Sequence, residues 1–121
     1  LTLASCILFY SFLNGIDPSI TKAVISVESK GNPFAIGTQG DSGLMQVRHQ
    51  FVPESQKQLL QSCTNIKRGV TLLKQAKDKC VHKLNNTWII CFNTGITGGV
   101  RIRHPEKFIY YKKIMTKLKG L

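Results

Sequence analysis

Apolar residues recur at helical spacing along most of this chain, and no stretch alternates apolar and polar for long. The opening LTLASCILFYSFLNG is apolar but short, with Ser5 and Ser11 interrupting it. It predicts a first core helix ended by Gly15, not a membrane span. No basic segment and no initiating methionine precede it, so the expectation is a chain that begins after a removed export signal. Asp17 as N-cap and Pro18 at the first helical position predict the next helix. Ile20, Ala23, Val24 and Val27 form its apolar stripe, and Gly31 with Pro33 beyond it gives the stop.

Residues 32–42 collect Asn, Pro, Gly, Thr and Asp, which predicts a loop, with a short β-ribbon around Ala35–Thr38. Leu44–Phe51 reads as a short helix stopped before Pro53. Thr64 or Asn65 caps a longer helix through Ile66, Val70, Leu73 and Ala76. Trp88, Ile89 and Phe92 line another short helix ending near Gly95. Pro105–Glu106 opens the last helix. Its apolar face is Phe108, Tyr111, Met115 and Leu118, with Lys107, Lys113 and Lys117 off that stripe. The fold class is mainly α.

At 121 residues the chain fits one domain spanning 1–121, with no repeat and no low-complexity tract. Charge changes the picture more: 17 basic residues against 6 acidic ones give +11. Such a surface attracts polyanions, among them nucleic acid, an anionic membrane face and the bacterial wall, and charge alone does not choose. The C-terminal region carries Arg101, Arg103, Lys107, Lys112, Lys113, Lys117 and Lys119, yet no nucleic-acid motif accompanies them. Cysteines stand at 6, 63, 80 and 91 without a zinc spacing, and His49, His82 and His104 are isolated from them. Free buried thiols and two disulfides both fit that spacing. No metal or cofactor site is legible.

Glu28 is the candidate with chemistry. It lies near the C-terminal end of an apolar helix, where the helix dipole and partial burial both disfavour ionisation. A carboxyl kept protonated near neutral pH can donate a proton to a glycosidic oxygen. Most glycoside hydrolases need a second carboxylate. The other acids are Asp17, Asp41, Glu54, Asp78 and Glu106. Asp17 is explained as a cap and Glu106 as a first-turn acid. Asp41, in a Gly-rich turn, is the only one in the site region. One carboxyl is therefore expected to serve as both acid and base.

Glu28-Ser29, the run Gly43-Leu44-Met45-Gln46, the run Cys91-Phe92-Asn93-Thr94-Gly95 and Tyr110 four residues after Glu106 stand in order along the chain. Together they resemble the four motifs of the lytic transglycosylases, lysozyme-like enzymes that cut peptidoglycan glycan strands. The likeness runs from about Ile16 to Ile114 and includes Asn65-Ile66 and Gly69-Val70. It implies a lysozyme-like fold with a small irregular or β-ribbon segment after the catalytic helix. Glu28 would protonate the oxygen between N-acetylmuramic acid and N-acetylglucosamine, then deprotonate the sugar's own 6-hydroxyl as a 1,6-anhydro ring closes. Ser29, Gly43, Leu44, Met45, Gln46, Phe92, Asn93 and Tyr110 would bind substrate or orient the carboxyl. Phe92 stands where the family usually has Tyr, so a hydroxyl is lost there.

The early cysteine and the one just before Asn65 resemble those of small transglycosylases encoded with secretion, conjugation and pilus machines. That likeness implies a Cys6–Cys63 disulfide, which would also tie down a helix that otherwise frays at the chain terminus. Cys80 and Cys91 form a candidate second pair. It further implies a periplasmic or other extracytoplasmic location, glycan strands as substrate, machine subunits as partners, and no specific nucleic acid. A hydrolytic goose-type muramidase using Asp41 as second carboxylate is the nearest alternative. A basic helical nucleic-acid binder is the alternative from another class.

Overall fold

A computed structural model describes residues 1–120, and among them the architecture is helical with one small antiparallel ribbon. The helices are α1 (Leu3–Leu13), α2 (Pro18–Ser29), α3 (Gln56–Leu59), α4 (Ser62–Lys79), α5 (Ile89–Thr94), α6 (Ile96–Val100) and α7 (Ile109–Lys119). Strands β1 (Asp41–Ser42) and β2 (Val47–Arg48) follow α2. Single 3₁₀ turns occupy His49–Phe51, Leu84–Asn86 and Pro105–Lys107. Helix α4 runs through the middle, packed by α1 on one side and α5 on another, while α2 packs on α7. The buried apolar residues form one cluster drawn from all these elements.

Asp17 caps α2 as the sequence predicts, accepting from the Ser19 amide at 2.9 Å. Ile20, Ala23 and Val24 enter the core. Helix α1 forms, but only Cys6, Ile7 and Ser11 are buried on it, while Leu8, Phe9, Phe12 and Leu13 stay exposed. Its apolar residues run all round the helix, so one face alone can pack. The Ser11 hydroxyl, fully buried, is satisfied by Thr21 Oγ1 of α2 at 2.8 Å.

Four expectations are corrected. Leu44–Phe51 is not a helix: Gly43–Gln46 is the turn of the ribbon, Val47–Arg48 is β2, and a 3₁₀ turn follows. Gly43 at φ +74° and Gln46 at φ +52° sit in the left-handed region, which breaks any helical register there. The ribbon itself lies later than Ala35–Thr38, with Ile36 contributing only an isolated bridge to Ser42. Neither Thr64 nor Asn65 caps α4, because the helix starts at Ser62 behind Gln61. Pro105 opens a 3₁₀ turn, and α7 begins only at Ile109. The helix α3 went unforeseen, although Ser55 and Gln58 form a reciprocal capping box, a legible signal.

Asn65 has a different task. Fully buried on α4, its Oδ1 accepts from the Met45 amide at 2.8 Å. Its Nδ2 donates to the Ser42 carbonyl at 2.7 Å and the Leu59 carbonyl at 2.8 Å. A Cβ on Gly43 would collide with this amide and with the Leu59 carbonyl. A Cβ on Gly69 would likewise meet the Met45 side chain. The ribbon turn is thus pressed onto α4 at two glycines.

Disulfides join Cys6 to Cys63 and Cys80 to Cys91. The first ties α1 to the start of α4 across 57 residues, worth about 4 kcal/mol in the chain-entropy account. The second ties the end of α4 to α5, against Gly99 of α6.

Asn65→Ala strips the partners from the Met45 amide and two carbonyls in a dry interior. It should lower unfolding free energy by about 2–5 kcal/mol with an unchanged denaturant slope. Urea titration checks this, and a loss below about 1 kcal/mol would mean the turn is held by packing alone.

Candidate active site

The last turn of α2 carries Glu28, and the first turn of α7 carries Tyr110. Packing of these two helices brings together residues 82 positions apart, and the Tyr110 hydroxyl donates to Glu28 Oε2 at 2.9 Å. Tyr110 is buried, and its neighbour Tyr111 turns away to donate to the Asn85 carbonyl at 2.7 Å. Burial beside Glu28 holds the Tyr110 hydroxyl well above the usual phenol range, so it remains a donor. Burial raises the Glu28 carboxyl from its ordinary 4.5 to about 7; Tyr110 opposes the rise and the charge of Asp41 adds to it. Near neutral pH this carboxyl holds its proton in a large share of molecules.

Glu28 stands where two cavities meet. The larger, of about 720 Å³, runs between the ribbon and helices α4 to α6. Glu28, Asp41, Gln46, Phe51, Phe92 and Asn93 are among the residues lining it. The smaller, of about 350 Å³, opens toward α7 and is lined by Val27, Glu28, Asn93, Phe108, Ile109, Tyr110 and Lys113. Asn93 shares both walls with Glu28.

The residues singled out from sequence divide into two groups. Gln46, Phe92 and Asn93 line the larger cavity, and Tyr110 lines the smaller. Gln46 is fixed from behind, its Nε2 donating to the Ala35 carbonyl at 3.1 Å and the Gly43 carbonyl at 3.0 Å. Gly43, Leu44 and Met45 do not line either cavity, because Leu44 and Met45 are buried and Gly43 abuts Asn65. Ser29 does not reach the carboxyl either. Its hydroxyl donates to the Ile25 carbonyl at 3.1 Å and accepts from the Gly31 amide at 3.2 Å, closing the end of α2.

Nothing in the sequence singles out Arg48, because Leu44–Phe51 has the pattern of a helix and the partner of Arg48 lies across the ribbon. Asp41 and Arg48 are direct partners across the ribbon, and Arg48 Nε donates to Asp41 Oδ1 at 2.8 Å. The second carboxylate on the larger cavity is therefore ion-paired. Among the described residues no cluster of His, Cys, Asp or Glu could hold a metal ion. No helix among them is long and apolar enough to cross a membrane.

The raised carboxyl has a stability consequence. In the unfolded chain Glu28 ionises near 4.5, whereas in the fold it waits until about 7. The unfolded state thus binds fewer protons across that window, and stability falls as pH rises through it. Glu28→Gln does not titrate. Its stability relative to the parent should climb between these two pH values, by at most about 3 kcal/mol, and level off above them. Thermal melts across pH 4 to 8 read this directly; a difference independent of pH would contradict the raised carboxyl.

The transglycosylase SLT domain family matches residues 5–102. Membrane-bound lytic murein transglycosylase C of Histophilus somni strain 2336 is 30% identical over 118 residues, covering 83% of this chain and 32% of that protein. The protein of the same name from strain 129Pt matches to the same extent. The chain thus spans about a third of the length of these curated relatives. No solved structure matches it significantly. The family match takes in Glu28, the ribbon, Asn65 and Asn93, the elements that build the cavity, and the chain belongs to the transglycosylase SLT domain family.

Proposed function

We propose that this chain is a single catalytic domain, 1–121, that cleaves the bond between N-acetylmuramic acid and N-acetylglucosamine in peptidoglycan without consuming water. The observation that carries the reading is Glu28: a partly buried, Tyr110-held carboxyl raised to about 7, beside a cavity whose other carboxylate is ion-paired with Arg48. Family membership and the lytic murein transglycosylases it resembles support the same chemistry.

Glu28 donates its proton to the glycosidic oxygen, and the bond from that oxygen to the anomeric carbon breaks. Positive charge develops on the sugar. The 6-hydroxyl of the same ring attacks the anomeric carbon, and its proton passes to the Glu28 carboxylate. The carboxyl returns to its starting state, so one residue suffices. Tyr110 is a positioning residue: its bond to Oε2 fixes the carboxyl's direction and leaves the other oxygen to handle the proton. Gln46 and Asn93 offer amides to hydroxyl and acetamido groups, and Phe92 offers a ring face.

We place the enzyme outside the cytoplasm, where both disulfides persist and the wall lies. The basic surface, at +11, draws it to an anionic wall. Its likeness to the small transglycosylases of secretion and conjugation systems supports local wall opening for such a machine, with that machine's subunits as partners. A hydrolytic reading remains specific enough to test, because Asp41 lines the same cavity as Glu28.

Glu28→Gln should keep the fold and lower release of muropeptides from purified sacculi by at least about 10²- to 10⁴-fold. Mass spectra of the parent's products should carry 1,6-anhydro ends. Reducing ends, with activity lost in Asp41→Asn, would replace this reading by the hydrolytic one.

The rate should fall as pH rises through about 7, where Glu28 loses its proton. Tyr110→Phe removes a bond that favours the carboxylate, so the alkaline limb should move to higher pH while the maximal rate drops. An unmoved limb would mean that another group sets it.

A further inference from the structure

The smaller cavity holds one cation. Lys113 lies three residues after Tyr110 on α7, hence on the same face, and lines the cavity with Glu28 and Asn93. The other lysines of this helix, Lys112, Lys117 and Lys119, do not line it. Nothing inside the described chain neutralises Lys113. Each of the six acidic side chains has a partner other than Lys113. Asp17 bonds Ser19, Glu28 bonds Tyr110, and Asp41 pairs with Arg48. Glu54 pairs with Arg68, Asp78 with Lys74, and Glu106 lies 3.6 Å from His104. The contrast with the larger cavity is chemical: its cation, Arg48, is already paired with Asp41, whereas Lys113 forms no ion pair, the one carboxyl that shares its cavity, Glu28, being bonded to Tyr110.

We propose that the smaller cavity takes the carboxylate-bearing substituent of a muramyl unit, with Lys113 as its counter-ion. This rests on the peptidoglycan reading above and adds to it which part of the substrate lies on which side of Glu28. Of the two sugars in the strand, only the muramyl unit carries an acid. That acid is the lactyl carboxylate of a peptide-free strand or a stem carboxylate of a peptide-bearing one. Seating it over Lys113 puts the muramyl ring on the α7 side of the general acid. The neighbouring glycan then runs into the larger cavity, where Gln46 and Phe92 wait. Lys113 also rejects the alternative register: shifting the strand by one sugar would leave the ammonium facing a neutral acetamido sugar and move the acid away from it. Register matters here because only one of the two alternating bonds is the one to be cut. An exposed ammonium contributes modestly, since water and salt screen it, so the effect falls on substrate binding more than on the chemical step.

The experiment compares the parent, Lys113→Met and Lys113→Arg on three strands: peptide-bearing, peptide-free, and peptide-free with the lactyl carboxylates converted to amides. Lys113→Met should raise KM on a carboxylate-bearing strand by about 3- to 10-fold, with kcat changed little, and salt should shrink the gap. On the amide strand the two proteins should converge, because the parent loses its advantage there. Lys113→Arg should recover most of the binding. A loss confined to peptide-bearing strands identifies the stem as the source of the carboxylate, a loss confined to the peptide-free acidic strand identifies the lactyl group, and a loss on both shows that either carboxylate is taken. An equal loss on acidic and amide strands, or no loss at all, overturns the proposal. Absence of cleavage of any strand by the parent would instead sink the peptidoglycan reading, so the two failures are distinguishable.

Discussion

The buried amide of Asn65 is the interaction on which the site's outer wall depends. A turn that contains two left-handed residues, Gly43 and Gln46, cannot satisfy its own backbone by repeating structure. The Asn65 side chain supplies the missing partners, one acceptor and two donated bonds, from inside a helix. An asparagine can do this because it carries both a donor and an acceptor and no charge to desolvate. Gly43 and Gly69 let the turn and α4 come close enough for those bonds to form. Once the turn is seated, Gln46 is aimed into the cavity and Asp41 falls opposite Arg48.

The acid itself is held from the other direction. Glu28 ends α2, and α7 closes over it so that Tyr110 meets the carboxyl. Two opposed effects act on one group. Burial pushes the proton on, while the tyrosine bond favours its loss. Burial prevails, but the bond keeps the value near neutrality. In the proposed mechanism Glu28 gives a proton and then takes one back, a task suited to a group in which neither form is strongly preferred. The fold thus tunes the acid by how far α7 covers it.

Much of this was legible before any coordinates, and the failures are instructive. Asp17-Pro18 announced α2 because capping is local chemistry, written in two adjacent residues. Motif order singles out Glu28 and Tyr110, and the structure joins them by a hydrogen bond, although Tyr110 is as buried as Tyr111 and so does not leave the core. Leu44–Phe51 reads as a helix in sequence and is a turn, a strand and a 3₁₀ turn in the fold. Its composition suits a helix, and the reason it cannot be one lies in Asn65, some twenty residues away. The same remoteness hid Arg48, whose meaning exists only once a ribbon pairs it with Asp41. Helix α1 shows the limit of composition. Apolar residues around a whole helix say that it is helical but not which side is covered.

The division between cavity-lining and supporting residues follows from the same physics. A motif of four adjacent residues in a tight turn cannot present every side chain to one cavity. Gln46 faces the cavity because its left-handed backbone turns it there, while Leu44 and Met45 point into the core and anchor it. The two kinds of residue should therefore respond differently to change. Loss of an anchor acts through stability and through every residue the turn carries. On the proposed reading, loss of the lining amide acts through substrate alone. Ser29 belongs with the anchors, since its hydroxyl closes the helix that presents Glu28 and never meets the carboxyl. The ordered motifs mark a built object, in which only some of the motif residues line the cavities and the others hold them in place.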